Sequence, residues 1–285
     1  MRKIIVTCRG EVEVEGERPY TGKAQPREQA KICVEFQDKY CSCELELLDS
    51  RYLISEALDS QIFGEAISAL DRALENAFSV MADEETAFIS ISIPGRFVND
   101  DLTELVEFTC TACLKIIENG KLILEFTPKE KLGIAVKYKN LGIGLYKEGC
   151  LSKQISAFFM FRDAVKWLVM IEPDEVKDSF AEIQVIKMHC YNNLALYHIR
   201  QHQYKLAISA ATIVLDTDEK NVKALYRRAV ANTEIQNYEI AIDDIQSALA
   251  IDPNNGPAKK QLDMIKKRQR VVSDKCAQAM KKFFS

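Results

Sequence analysis

Lys139, Asn193, Lys223 and Arg227 are the side chains in this sequence best suited to holding a carboxylate ligand. Ammonium and guanidinium groups make charge-assisted hydrogen bonds to carboxylates, and an asparagine amide can complete such a cage while bonding peptide backbone. Taken singly they have a plainer reading, with Lys223, Arg227 and Arg228 a basic helix face and Asn193 a satisfied polar residue. Other reactive types are less promising. Cys110 and Cys113 are three apart in an alternating segment, so on a strand their sulfurs face opposite sides and cannot easily share an ion, even with Cys41 and Cys43 as further ligands. His198 and His202 stand four apart, as zinc ligands on a helix would, but no carboxylate or third imidazole is spaced to join them, His189 falling on a different turn. A surface or turn role is expected for both. Phe158, Phe159, Phe161 and Trp167 recur at helical spacing without interleaved cations, which points to core rather than a nucleic-acid stacking surface. No P-loop, nucleophile elbow or dinucleotide fingerprint occurs. No metal, cofactor or catalytic residue is therefore expected.

Two kinds of element must position the donors. Val222–Asn255 reads as a helical hairpin of 34 residues, with small or apolar side chains at Leu225, Ala229, Ala241, Ile245 and Ala248, Tyr238 entering its second helix and Pro253 closing it. Shifting back 34 places gives Tyr191, Ala195, Tyr204, Ala207, Ala211 and Val214, so sites where helices must approach closely recur. Glu219 alone departs, standing where Pro253 stands. A third unit runs from Tyr138 through Gly149 to Ala157, Phe161, Ala164 and Trp167, with an inter-helix turn expected to be about three residues too long for the pattern. The pattern resembles the tetratricopeptide repeat. Ala258–Phe284 carries Leu262, Ile265, Val271, Val272, Cys276, Met280, Phe283 and Phe284 on a rough stripe and is expected to cap the array. Its basic excess is read as a solvated face.

Residues 1–127 alternate instead. Ile32, Val34 and Phe36 oppose Lys31, Cys33 and Glu35, and Cys43, Leu45 and Leu47 oppose Glu44 and Glu46, so both stretches are expected as half-buried strands. Val106–Leu114 and Lys121–Phe126 are expected to pair through an Asn119-Gly120 hairpin. Ile67, Leu70, Leu74, Phe78 and Met81 mark one helix, and Ala87, Ile89, Ile91 and Ile93 the inner face of the strand after it. The expected fold is α+β with two domains: an antiparallel sheet with one helix over 1–127, three helical repeats over 131–257, and a basic C-terminal helix over 258–285. Met170–Lys177 is read as an acidic connection between repeats. With 285 residues and 47% hydrophobic content there is material for a core in each.

A net charge of −4 gives no overall bias toward nucleic acid. The opening Met1–Gly10 has too short an apolar run for a signal peptide, and no segment is apolar enough to span a bilayer. Nine scattered cysteines are then expected to be reduced, in cytoplasm or nucleus.

The order of elements in the first domain resembles the FK-drug-binding immunophilin family, FKBP. Gly64–Asp71 stands where that family has its glycine, a valine-isoleucine pair and the tryptophan flooring its proline pocket, and Ala82-Asp83-Glu84 stands at its Gly-Glu turn. Ile67 and Leu70 thus mark a degenerate pocket, with Leu70 in place of the tryptophan. The family's Phe-Asp-Ser segment has no counterpart in Tyr40–Glu46, and only Gly95–Glu104 replaces its long tyrosine-bearing loop. With the repeats, and with Val222–Asn255, Met280–Phe284 and Arg2–Val6 also similar, the chain resembles the divergent FKBP-type immunophilins that carry C-terminal tetratricopeptide repeats. The resemblance implies a non-enzymatic co-chaperone. In chaperone-binding repeats, the positions of Lys139, Asn193, Lys223 and Arg227 form a carboxylate clamp for the Glu-Glu-Val-Asp tail of a cytosolic heat-shock chaperone, here of the ninety-kilodalton class. A client protein would be held by the first domain. One clamp position departs, Ile143 standing where Asn or Thr is usual. The alternatives are an active peptidyl-prolyl isomerase, or a repeat scaffold unrelated to chaperones.

Overall fold

The computed structural model describes residues 1–16, 23–54, 61–172 and 179–283. Most of the expected connection Met170–Lys177 falls outside them. The chain divides into two compact units, one made of residues 1–131 and 140–160, the other of residues 132–139 and 161–285.

The first unit is built on a six-stranded sheet. Its strands are β1 (Arg2–Val6), β2 (Val12–Glu15), β3 (Lys31–Cys41), β4 (Gln61–Ile62), β5 (Glu85–Pro94) and β6 (Leu105–Glu118), in the order β2-β1-β5-β6-β3-β4. All neighbours are antiparallel except β1 and β5, which run parallel with Ile4 opposite Ile89. A single turn, α1 (Arg51–Ile54), precedes the helix α2 (Ala69–Phe78). Ser68 caps α2 by accepting the Asp71 N–H at 3.1 Å, so the helix starts after Ile67. Leu70, Leu74, Ala77 and Phe78 then pack with Met81 against Ile4, Ile89, Ile91, Phe108 and Cys110 in one closed core. The alternation of β5 is as its residues require, with Ala87, Ile89, Ile91 and Ile93 buried.

Two expected strands do not form. β3 ends at Cys41, and Leu45–Leu48 is a 3-10 turn, because five alternating residues without a partner strand do not make a ladder. Lys121–Phe126 likewise contains a 3-10 turn, Ile123–Glu125. Asn119-Gly120 is a clasp and not a hairpin. The Asn119 side chain accepts from Arg27 N at 3.0 Å and donates to the Gln25 carbonyl at 3.1 Å. A Cβ on Gly120 would stand 1.9 Å from the Glu28 carbonyl oxygen, so this close approach admits only glycine.

The helices that follow are α3 (Pro128–Glu148), α4 (Leu151–Val169), α5 (Phe180–Arg200), α6 (Tyr204–Thr217), α7 (Val222–Glu234), α8 (Tyr238–Ile251) and α9 (Gly256–Phe283). α3 begins with Pro128 and a capping box in which Thr127 and Glu130 bond each other's backbone N–H. α3 runs on to Glu148, so the turn to α4 is only Gly149-Cys150, with Gly149 at positive φ.

In the second unit the repeat is visible in its turns as well as its cores. Asn221 accepts the Ala224 N–H and donates to Asp218, and 34 residues later Asn255 accepts the Ala258 N–H and donates to Asp252. His202 and Gln236, also 34 apart, both take positive φ after the first helix of their pair. The mismatch of Glu219 with Pro253 therefore leaves the turn intact, since its bonds come from the flanking Asp and Asn. Ala195 packs with Ala210 and Ala211, and Ala229 with Ala241, Ile245, Ala258 and Ile265, small side chains allowing close helix contact. α9 caps the array with its first half only. Beyond Ile265 the expected stripe leaves the core, with Val271 47% and Met280 63% exposed.

Candidate functional site

Lys139 comes from α3, Asn193 from α5, and Lys223 and Arg227 from one face of α7. Helices α5 and α7 pack on each other as the leading helices of successive repeats. The 34-residue period makes His189 the equivalent of Lys223, and Asn193 the equivalent of Arg227. Space agrees: partial burial and then the ammonium groups of Lys139 and Lys223 hold the His189 imidazole below its ordinary range. Lys139 also bears on the buried Cys190 thiol, which burial pushes up to about 12. Lys139, His189 and Lys223 thus share one patch of positive potential from three helices. Neither lysine has a carboxylate partner among the described residues.

Arg227 and Asn193 are held differently. Arg227 Nη1 donates to Asn192 Oδ1 at 2.9 Å, and Asn192, buried at 6% exposure, donates from Nδ2 to Asn221 Oδ1 at 3.4 Å. Asn192 is therefore a strut from α5 to both the cap and the second turn of α7. Asn193 donates to the His189 carbonyl at 3.0 Å, one turn back on its own helix. Arg228 is set apart from the patch, its guanidinium forked onto the buried Asp244 at 2.9 and 2.7 Å. Adjacent arginines on α7 thus have different tasks, one bracing α8 and the other turned to α5.

Sequence reasoning passed over His189 and Asn192. His189 was detectable from the 34-residue shift of Lys223. Asn192 carried no signal of its own beside Asn193.

In the first unit the two expected pocket positions separate. Ile67 lines a cleft of about 430 Å³ with Leu47, Leu48, Phe97 and Val98, and Ser152 and Lys153 from the first turn of α4 line the same cleft. Asp100 fixes that turn by accepting from Leu151 N at 2.8 Å and Ser152 N at 2.9 Å, and Asp49 pairs with Lys153. Leu70 does not reach the cleft and is wholly buried in the core. Beneath α2 lies a buried polar group: Tyr52 donates to Glu75 at 2.9 Å, Arg51 bonds both, and Ser50 bonds Asp71. Burial outweighs Arg51 and raises the Glu75 carboxyl to about 7.

The remaining candidates fall where their environments place them. Cys110 is buried and Cys113 faces the other side of β6. Cys41 and Cys43 lie 3.5 Å apart, sulfur to sulfur. Among the described residues no three His, Cys, Asp or Glu side chains gather as a metal site. His198 bonds Gln203 at 2.7 Å at the end of α5, while His202 lies beyond that helix in the turn and bonds Tyr204 at 2.8 Å. Phe161 and Trp167 are 2% exposed, whereas Phe158 and Phe159 are half-buried, with Arg72 stacked 4.5 Å over Phe159. No described helix is long and apolar enough to cross a membrane.

No family model matches the chain. It is 27% identical over 259 residues to the human peptidyl-prolyl cis-trans isomerase FKBP4, an alignment covering 87% of this chain and 53% of that protein. It is 28% identical over 217 residues to FK506-binding protein 59 of Drosophila melanogaster, covering 74% of this chain and 47% of the relative. The chain spans about half the length of these curated relatives. Among solved structures it is similar to the C-terminal TPR-containing domain of a putative FK506-binding protein of Plasmodium falciparum, at 26% identity, TM-score 0.49, covering 53% of this chain and 99% of that one. In sequence similarity and in its succession of sheet and helical repeats, the chain resembles the FKBP-type immunophilins that carry C-terminal tetratricopeptide repeats.

Proposed function

We propose that the chain is a non-enzymatic co-chaperone whose repeat groove binds the acidic C-terminal tail of a cytosolic heat-shock chaperone of the ninety-kilodalton class. Lys139, Asn193, Lys223 and Arg227 form the carboxylate clamp, with residues 131–257 as the repeat array, 258–285 as its basic closing helix and 1–127 as the client-binding module. The observation that carries this reading is the convergence of Lys139 and Lys223 on His189 from separate helices, with no carboxylate among the described residues paired to either lysine. Unneutralised cations on one surface attract an anionic ligand and strengthen its hydrogen bonds. Cytoplasm and nucleus are the compartments where such a tail is met.

The same reading makes the first domain inactive as an isomerase, although the relatives bear that name. Leu70 supplies no aromatic floor and lies sealed in the core, and the cleft lined by Ile67 is bordered by the start of α4. The clamp is tested by titrating an acidic peptide ending Glu-Glu-Val-Asp into the full chain and into Lys223→Ala and Arg227→Ala. Each lost charge-assisted bond costs about 1.5–3 kcal/mol, or about tenfold or more in affinity. Unchanged affinity in both variants, with the repeats folded, refutes it.

A further inference from the structure

Among the described residues of the patch, His189 is the titratable side chain whose charge can change near neutral pH. It projects from α5 at the repeat position that α7 fills with Lys223, and it is exposed. Its carbonyl accepts the amide of Asn193, so its own turn is fixed to a clamp residue. The titratable groups around it are Lys139 from α3, Lys223 from α7 and the neighbouring Cys190 thiol on α5, with Arg227 one turn along α7 from Lys223. Among the described residues no carboxylate bears on it.

We propose that His189 is a fifth ligand-binding residue of the groove, neutral when the groove is empty and protonated by the arrival of an acidic peptide, so that binding takes up a proton. This rests on the clamp reading. In the empty groove two ammonium groups disfavour a third positive charge. A bound carboxylate reverses the sign of the local field and favours the imidazolium, which then donates to it. The sign of the linkage follows. Above the bound-state pKa the ring is neutral in both states and adds nothing ionic. As pH falls toward the free-state pKa the complex gains a proton that the free protein lacks, and affinity rises. The peptide's carboxyl groups, with ordinary pKa values of about 3.5–4.3, stay ionised throughout. Lysine and arginine keep their charge as well. The groove would therefore discriminate against neutral-ended peptides more strongly at pH 6 than at pH 7.5.

The test is calorimetric titration of the Glu-Glu-Val-Asp peptide into the full chain at pH 7.5 and 6.0, in buffers of differing ionisation enthalpy, beside His189→Gln. A bound-state rise of about one pKa unit gives affinity about three- to fivefold tighter at pH 6.0 than at pH 7.5, with net proton uptake. His189→Gln should change by less than about twofold across the same interval. Proton NMR of the parent, which has only three histidines, adds a reading that does not depend on the variant's folding: the His189 imidazole should titrate below the ordinary histidine range and shift upward with peptide. A His189→Gln variant as pH-sensitive as the parent, or an imidazole pKa unmoved by saturating peptide, overturns the proposal while a Lys223→Ala defect leaves the clamp standing. Absence of any peptide binding removes both.

Discussion

Asn192→Leu should weaken tail binding although Asn192 is 94% buried by its 6% exposure and is given no contact with ligand in the proposed groove. The substitution removes the acceptor of the 2.9 Å bond from Arg227 and the 3.4 Å donor to Asn221. The first loss is of a charge-assisted bond worth about 1.5–3 kcal/mol. The second is long, and Asn221 keeps its bond from Ala224, so α7 stays capped. A buried leucine side chain returns about 1.5–3 kcal/mol of apolar burial, leaving stability roughly balanced. Affinity has no such compensation. Arg227 loses its bond to Asn192 and is held less firmly before the ligand arrives, an added ordering cost of up to about 0.5–1.5 kcal/mol for a long side chain, or about two- to tenfold in Kd. Arg227→Ala removes the contact itself and should lose more. Since both changes act through one guanidinium, the double variant should bind like Arg227→Ala alone. Thermal melting and calorimetric titration of the two single variants and the double complete the cycle. Additive losses, or parent-like affinity in a folded Asn192→Leu, refute the strut.

The full chain should show only background rates in a protease-coupled prolyl isomerisation assay, and a rate that a macrolide suppresses would contradict the inactive pocket. Ile143→Asn restores a donor one turn beyond Lys139 on α3 and should tighten binding of a free-carboxylate peptide by about 0.5–1.5 kcal/mol; a lower melting temperature with no tighter binding would place Ile143 in the core instead. Glu75, raised to about 7 by burial, contributes stability that is fully present below its unfolded pKa of about 4.5 and is lost as pH rises through 7. Glu75→Gln should flatten that slope, which amounts to up to about 3 kcal/mol in chemical unfolding between pH 4.5 and 7.5, and an unchanged slope would refute the assignment.

The parts of the fold governed by local periodicity were legible in the sequence. The inward residues of β5 and the core face of α2 follow from spacing alone, and the 34-residue shift carries the repeat helices, their alanine contacts and the equivalence of His189 with Lys223. The parts governed by distant contacts were not. Asn119-Gly120 has the composition of a hairpin turn, yet its partners are Gln25, Arg27 and Glu28, some ninety residues earlier. The parallel pairing of β1 with β5 has no local sign, and the strand expected at Cys43–Leu47 lacked a partner that only the sheet order could reveal. Leu70 illustrates the difference most directly. The helical spacing marked it as inward-facing, while its complete separation from the cleft beside Ile67 depends on how the sheet closes over α2.

The central claim is that the groove recognises a terminal carboxylate. Two peptides of the same acidic sequence ending Glu-Glu-Val-Asp, one with a free C-terminus and one amidated, separate this from capture of internal acidic segments when each is titrated into the full chain at pH 7.5. Loss of one charge-assisted anchor predicts that the amidated peptide binds about tenfold or more weakly, with the difference reduced in Lys223→Ala. Equal affinity for the two peptides would contradict the clamp and favour a repeat scaffold that grips acidic residues wherever they lie.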